Sequence, residues 1–336
     1  MVHRVIVQPS GEGFDVLQGE SVLEGALRHG VRLPHECTFG GCGTCRASIL
    51  SGRVRYEEMP LALTAEEADA GFGLMCQARA DSDLVIEVQR GPQLATPERT
   101  IALVRGLRPL TADVWHLQLE LPELPGVSYA PGQHLNIHLD DGSHRSFSMA
   151  STPDGCSIDC HIRRIPGGRF TDVLLPRLRP GDRLEVEIPI GSFYCHTQDD
   201  RPLLMVVTGT GISPIKSMLE ALLDDPGCPP VSLYWGMRTA EDLYLDAQIR
   251  SWADRLFEFR YVPVLSRADP GWSGRRGHVQ DAVLADHEDL SEHSIYLCGS
   301  PAMIAYAKTS FAQRGSQVEH VYSDGFSFQH AMSIEA

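Results

Sequence analysis

Cys37-Thr-Phe-Gly-Gly-Cys42-Gly-Thr-Cys45 places three thiols on one short glycine-rich stretch, and Cys76 follows downstream. C-x4-C-x2-C with a distant fourth cysteine is the spacing of a two-iron, two-sulfide cluster. Three thiolates on a tight loop must converge on two irons, and Gly40, Gly41 and Gly43 let the backbone wrap them and aim its amides at sulfur. A structural zinc site favours two separated pairs of closely spaced ligands, which this stretch does not offer. Disulfides are rare in a cytoplasmic chain, so the spacing points to metal. The expected metal ligands are Cys37, Cys42, Cys45 and Cys76. Cys156, Cys160, Cys195 and Cys228 lack ligand spacing and read as free thiols.

The flanks suggest a small domain. Val2–Val7 and Phe14–Val16 read as a hairpin around Gly11-Glu-Gly13. Ser21-Val-Leu-Glu24 is a capping box opening a helix that buries Val22, Leu23, Ala26 and Leu27 and stops at Gly30. Thr64 and Glu67 can cap a second helix, and Leu84–Val88 closes the unit as a strand. Residues 1–92 resemble a complete plant-type [2Fe–2S] ferredoxin domain, which implies a β-grasp fold. They carry 8 Arg against 13 Asp and Glu, a net charge of −5.

The whole chain has 336 residues and a formal charge of −15, with 43% hydrophobic and 22% charged residues. That is globular composition for two or three domains. No cationic face is available to displace counterions from nucleic acid. No run of 18 apolar residues occurs, and Met1–Ser10 alternates like a strand rather than a signal peptide, so a cytoplasmic protein is expected. Lys216 and Lys308 are the only lysines, a scarcity that reads as codon bias.

After a short Pro-containing linker (93–98), strand patterns resume at Arg105–Leu110 and Val114–Leu119. Gln133–Leu139 alternates, then Asp140-Asp-Gly142 turns into Arg145-Ser-Phe147-Ser148. Gly167-Gly168-Arg-Phe-Thr171 stands just ahead of the apolar Val173-Leu-Leu175. The histidines nearby (His134, His138, His144, His161) alternate with apolar residues and read as a polar strand face. From Leu203 the pattern becomes apolar strands alternating with helices, the signal of a parallel sheet. Leu203–Val207 runs into Gly209-Thr210-Gly211-Ile-Ser213-Pro214, where Ser213 can cap the next helix and bare glycines admit a pyrophosphate. Pro214 stands where G-x-G-x-x-G would need its third glycine, which argues against a common dinucleotide-binding dehydrogenase.

These motifs, in this order, resemble the ferredoxin–NADP reductase-like flavoproteins, and the complete layout resembles the three-domain reductase components of bacterial multicomponent oxygenases. Benzoate dioxygenase, phenol hydroxylase and methane monooxygenase reductases share it. The resemblance implies a multidomain α+β and α/β chain: ferredoxin domain 1–92, antiparallel β-barrel FAD domain 99–198 and parallel-sheet NAD(P)H domain 199–336. It implies that Arg145 pairs with the flavin pyrophosphate, Phe147 covers the ring and Ser148 hydrogen-bonds near the reactive nitrogen. Gly167, Gly168 and Thr171 form the second phosphate clamp. Gly209, Thr210, Gly211, Arg238 and Gly299 take the nicotinamide dinucleotide, with Cys298 at the nicotinamide–flavin contact. Asp324 and Phe326 lie beside the flavin, and Ser327–Ala336 runs past the usual end of many relatives.

Arg238 and Arg267 are available near the ribose, yet no paired 2′-phosphate set is evident, so NADH is expected over NADPH. The implied cofactors are a [2Fe–2S] cluster, FAD and NADH. The implied partner of a monomeric reductase is the terminal oxygenase component of a mono- or dioxygenase acting on an aromatic or hydrocarbon, docked transiently. Two alternatives remain: a reductase of the same layout serving a sugar-deoxygenating dehydratase, and a redox-sensing flavo-iron–sulfur regulator without turnover.

Overall fold

The computed structural model describes residues 2–35, 37–88, 96–196 and 200–326. Three main sheets divide the chain in sequence order, and a two-stranded ribbon, Val54–Arg55 with Arg79–Ala80, accompanies the first. In the first, Val2–Gln8 pairs antiparallel with Glu12–Leu17 and parallel with Leu84–Glu87, which pairs on with Arg46–Ser51 and then Phe72–Leu74. Both capping boxes form: Ser21 and Glu24 open helix Val22–Arg28, and Thr64 and Glu67 open Ala65–Asp69. Leu27, expected in the core, is instead 50% exposed. The buried stripe uses Val22, Leu23, Gly25 and Ala26, because Gly25 lies against Val16 so closely that a Cβ there would meet it at 2.9 Å.

The second sheet has six antiparallel strands, and the bridge Met149↔Cys160 brings its two edge strands together into a barrel. Its first strand runs Glu98–Pro109, so Glu98 at the end of the expected linker is already strand; positions 93–95 of that linker lie outside the described residues. The histidines are not one solvent-facing row. His134, at 6% exposure, lies in a strand buried on both faces, and His161 is buried too.

The third sheet is parallel. From the central strand Leu203–Thr208 the chain builds outward through Val231–Met237, Arg260–Leu265 and Arg275–Arg276, then returns to the other side with Ser294–Gly299 and Val321–Gly325. The order reverses between Leu203–Thr208 and Ser294–Gly299, and ligands of open α/β sheets bind at the carboxyl ends of such a pair. Helix Ile212–Leu222 starts from Gly211, so Ser213 and Pro214 occupy its first turn and Ser213 is not the cap. Both lysines are buried where this domain meets another. Lys216 donates to Ala150 O of the barrel at 2.7 Å, and Lys308 donates to Ala62 O of the first domain at 3.1 Å.

Candidate functional site

The cysteine loop is shaped by glycines at positions where a side chain would collide. Gly40 has φ +79°, and a Cβ there would lie 2.7 Å from Pro60; a Cβ on Gly41 would lie 2.4 Å from the Phe39 ring. This compression turns the Gly41 and Cys42 amides toward Cys37, whose Sγ accepts from both at 3.3 Å. Cys76 N donates to Cys45 Sγ at 3.5 Å. The thiols therefore stand two and two, Cys37 with Cys42 and Cys45 with Cys76. A hydrogen bond from Cys42 and the amide donors bring the Cys37 thiol down to about 6. Its bond with Cys45 lowers Cys76, while that same bond and burial push Cys45 up. Among the described residues no group of three His, Cys, Asp or Glu is arranged for a single metal ion. Four thiols paired in twos, with amides already aimed at sulfur, fit a two-iron cluster.

A cavity of about 410 Å³ opens where the three domains meet. Its barrel wall carries Arg145, Phe147 and Ser148, from strand His144–Ser148. Arg145 Nη1 donates to His144 O at 2.7 Å and Ser143 Oγ at 3.3 Å, and Phe147 packs 5.2 Å from the Phe170 ring. Gly168 and Thr171 line the same cavity, at an irregular helical turn over Arg169–Leu174. Gly167 is not on the wall; its φ of +77° shapes the turn, and its N–H donates to Asp172 at 2.7 Å. Thr171 Oγ1 accepts from Ile165 N at 3.1 Å, tying the loop back on itself.

The nicotinamide-domain wall carries Thr210, Ser213, Asp324 and Phe326. Behind it the two glycine loops stand back to back. A Cβ on Gly211 would meet Cys298 O at 2.5 Å, and one on Gly299 would meet Thr208 O at 2.5 Å. Gly209, with φ +59°, receives Trp235 Nε1–H on its carbonyl at 3.1 Å. Cys298 is fully buried, paired across the sheet with Asp324, and burial then that carboxylate push its thiol up. Cys298, Gly209, Gly211 and Gly299 lie behind the cavity surface, whereas Arg238 is exposed at the strand end, its carbonyl accepting from Arg267 N at 2.8 Å. Phe326 N donates to Gly299 O at 2.8 Å, anchoring the last described residue beside the cavity. Ser327–Ala336 lies outside the described residues.

The third wall is the cysteine loop itself: Cys37, Thr38, Phe39 and Cys42 line this cavity. Sequence reasoning missed His161 and Arg163, which complete the barrel side. His161 contacts Tyr244, whose hydroxyl lies 3.3 Å from Nδ1, and packs edge-on against His116 with centroids 5.5 Å apart. Arg163 pairs with Asp113 at 2.7 Å. The Tyr244 contact crosses from one domain to another and the other two join separate segments of the barrel, so no local spacing announces them.

Comparison with known proteins agrees with this architecture. A 2Fe-2S iron-sulfur cluster binding domain matches residues 5–81, an oxidoreductase FAD-binding domain 104–194 and an oxidoreductase NAD-binding domain 205–309. The reductase component 1 of terephthalate 1,2-dioxygenase from Comamonas sp is 34% identical over 97% of this chain and 98% of its own. The chain belongs to the three-domain iron–sulfur flavoprotein reductases. Another relative, the CDP-6-deoxy-L-threo-D-glycero-4-hexulose-3-dehydrase reductase of Yersinia pestis, is 33% identical over 96% of this chain and 98% of its own. Among solved structures, the Amycolatopsis cytochrome P450 reductase GcoB superposes with a TM-score of 0.72 at 32% identity, covering 96% and 98% of the two chains. This reductase is an oxidoreductase with iron–sulfur, FAD and NAD domains. None of the helices among its described residues is long and apolar enough to cross a membrane.

Proposed function

We propose that this reductase takes electrons from NADH and delivers them, through FAD and the [2Fe–2S] cluster, to the terminal oxygenase component of a cytoplasmic multicomponent mono- or dioxygenase. One observation carries the reading: a single cavity is walled by the flavin motif, the nicotinamide-domain loops and the cluster loop. When bound, FAD exchanges electrons in pairs with nicotinamide and singly with a one-electron carrier, which is why both domain types share the chain.

The chain's own groups do the positioning. Arg145 would offer a planar fork to the pyrophosphate, Phe147 would cover the ring, Ser148 would supply a hydroxyl, and Gly168 and Thr171, on the turn that Gly167 shapes, would form the second phosphate clamp. Gly209, Thr210 and Gly211, with Gly299 behind them, admit the dinucleotide close to backbone amides, and Arg238 stands by the ribose. Cys298 would lie behind the nicotinamide site, Phe326 would shield the flavin face, and Asp324 would set a negative charge beside it. Cys37, Cys42, Cys45 and Cys76 would hold the cluster, in the two pairs in which their thiols stand.

The exit lies on the outer side of the loop. Leu61 is 74% and Met59 56% exposed, flanking Pro60, which packs on Gly40. Glu57, Glu58 and Glu66 are exposed around them, so an acceptor with a small apolar hollow and a basic rim fits a transient contact. The near-equal identity to a dehydrase reductase supports a second reading, in which the acceptor belongs to sugar deoxygenation.

Anaerobic titration of the purified protein with NADH, followed by visible absorption and EPR, tests the route. Flavin bleaching together with a rhombic reduced-cluster signal is expected. An oxidised cluster beside a bleached flavin would remove the exit and favour a regulator. Reduction of isolated oxygenase or dehydratase acceptors then separates the two partner classes.

A further inference from the structure

Lys308 projects from helix Pro301–Ala312 into the first domain, where it donates to Glu67 Oε1 at 3.0 Å and Ala62 O at 3.1 Å. The same Glu67 oxygen accepts from Arg46 Nη1 at 2.7 Å, and Arg46 Nη2 reaches Val321 O of the third domain at 3.2 Å. We propose that Glu67, Lys308 and Arg46 form a positioning latch that holds the cysteine loop against the flavin cavity, an inference that rests on the electron route above.

The arrangement is asymmetric in a way that stability alone does not require. Within its own domain Glu67 is already satisfied by Arg46 and by Thr64 N, which donates to Oε2 at 2.9 Å. Both of the bonds that Lys308 makes cross the interface. Withdrawing these charges from water is costly, and apolar residues of similar volume often hold as well or better. What a buried ion cluster adds is direction: donors and acceptors meet in one register, whereas an apolar face can slide.

The register reaches the thiols in one step. Ala62, whose carbonyl receives Lys308, donates its own N–H to Gly40 O at 3.0 Å, inside the cysteine loop. On the loop's other side Gly43 meets Ser323, whose Oγ would lie 3.6 Å from a Cβ, and a Cβ on Gly325 would sit 3.0 Å from Gly41 O. The latch and the Ser323–Gly325 seat therefore grip one loop, and Asp324 between them lines the flavin cavity.

The test uses holoprotein with Lys308→Met, Glu67→Gln and both together. Glu67→Gln keeps a residue able to complete the capping box. Stopped-flow reduction by NADH reads flavin and cluster separately, hydrogen exchange reads residues 60–67 and 301–312, and thermal unfolding reads stability. The single variants should bleach flavin at the native rate but reduce the cluster roughly ten- to hundredfold more slowly, as ångström misplacement of reacting groups does. Exchange should rise in both segments. The double variant should regain stability relative to Glu67→Gln, in which Lys308 and Arg46 face each other without a carboxylate, but should not regain the cluster rate, and it carries the test if Glu67→Gln does not fold. A native cluster rate, an equal fall in both rates, or recovery of rate with stability in the double variant would overturn the latch. If native protein fails to reduce its cluster, the electron route falls, and the exchange measurement still decides whether these residues hold the domains together.

Discussion

The cysteine loop and the flavin cavity touch, yet they are built differently. Three of the loop's four thiols lie within one short stretch, and its curvature comes from glycines in that stretch. The cavity is assembled from barrel strands, an irregular turn, the switch point of a parallel sheet and the cysteine loop. A local site tolerates change elsewhere but fails when one ligand is lost, while an assembled site loses function by degrees and depends on how domains dock.

Breaking the loop should have the largest effect. Cys42→Ser removes one thiolate, and reduction of cytochrome c through the cluster should fall at least about 100-fold. Ferricyanide reduction by the flavin should continue at its native rate, because the cavity's barrel and sheet walls are untouched. Equal loss of both activities would mean that loop and cavity are one cooperative unit.

The cavity should degrade more gently. Arg145→Ala deletes a charge-assisted contact worth roughly 1.5–3 kcal/mol, equivalent to about ten- to hundredfold weaker FAD retention. Dialysis followed by flavin fluorescence measures it, and full occupancy after dialysis would assign the pyrophosphate to other groups. Cluster content should remain native, which sharpens the contrast with the cysteine variant.

The same contrast explains what could be read from sequence. Cysteine spacing, the two capping boxes and the alternation around Gln133–Leu139 are local, so each announced its element. The start of helix Ile212–Leu222 was misplaced because Ser213 and Pro214 suit a first turn as well as a cap. Leu27 was misplaced because the close approach of Gly25 to Val16, not the helical stripe alone, sets which face is buried. The two lysines were opaque for a deeper reason. Nothing in the residues around Lys308 points to Glu67, which is its neighbour only after three sheets have folded and docked.

His161 gives the finest probe of the assembled site, because the proton-linked part of its effect should vanish at neutral pH. Burial, with the neighbouring His116 and Lys216 charges, pushes its pKa down to about 3, so it stays neutral beside the cavity. Unfolded histidine binds a proton near pH 6.5, whereas folded His161 refuses one until about pH 3. The unfolded state therefore holds more protons between those limits, and stability is lost as pH falls through that window. The slope owed to this group approaches about 1.4 kcal/mol per pH unit. His161→Asn loses ring packing and should start less stable at pH 7.5, but it should lose less further stability by pH 5.5, the difference in acid loss approaching about 1.4 kcal/mol. Thermal unfolding at the two pH values checks it. Parallel acid losses in both proteins would show that His161 already meets water, and that this wall of the cavity is open where the packing against Tyr244 and His116 closes it.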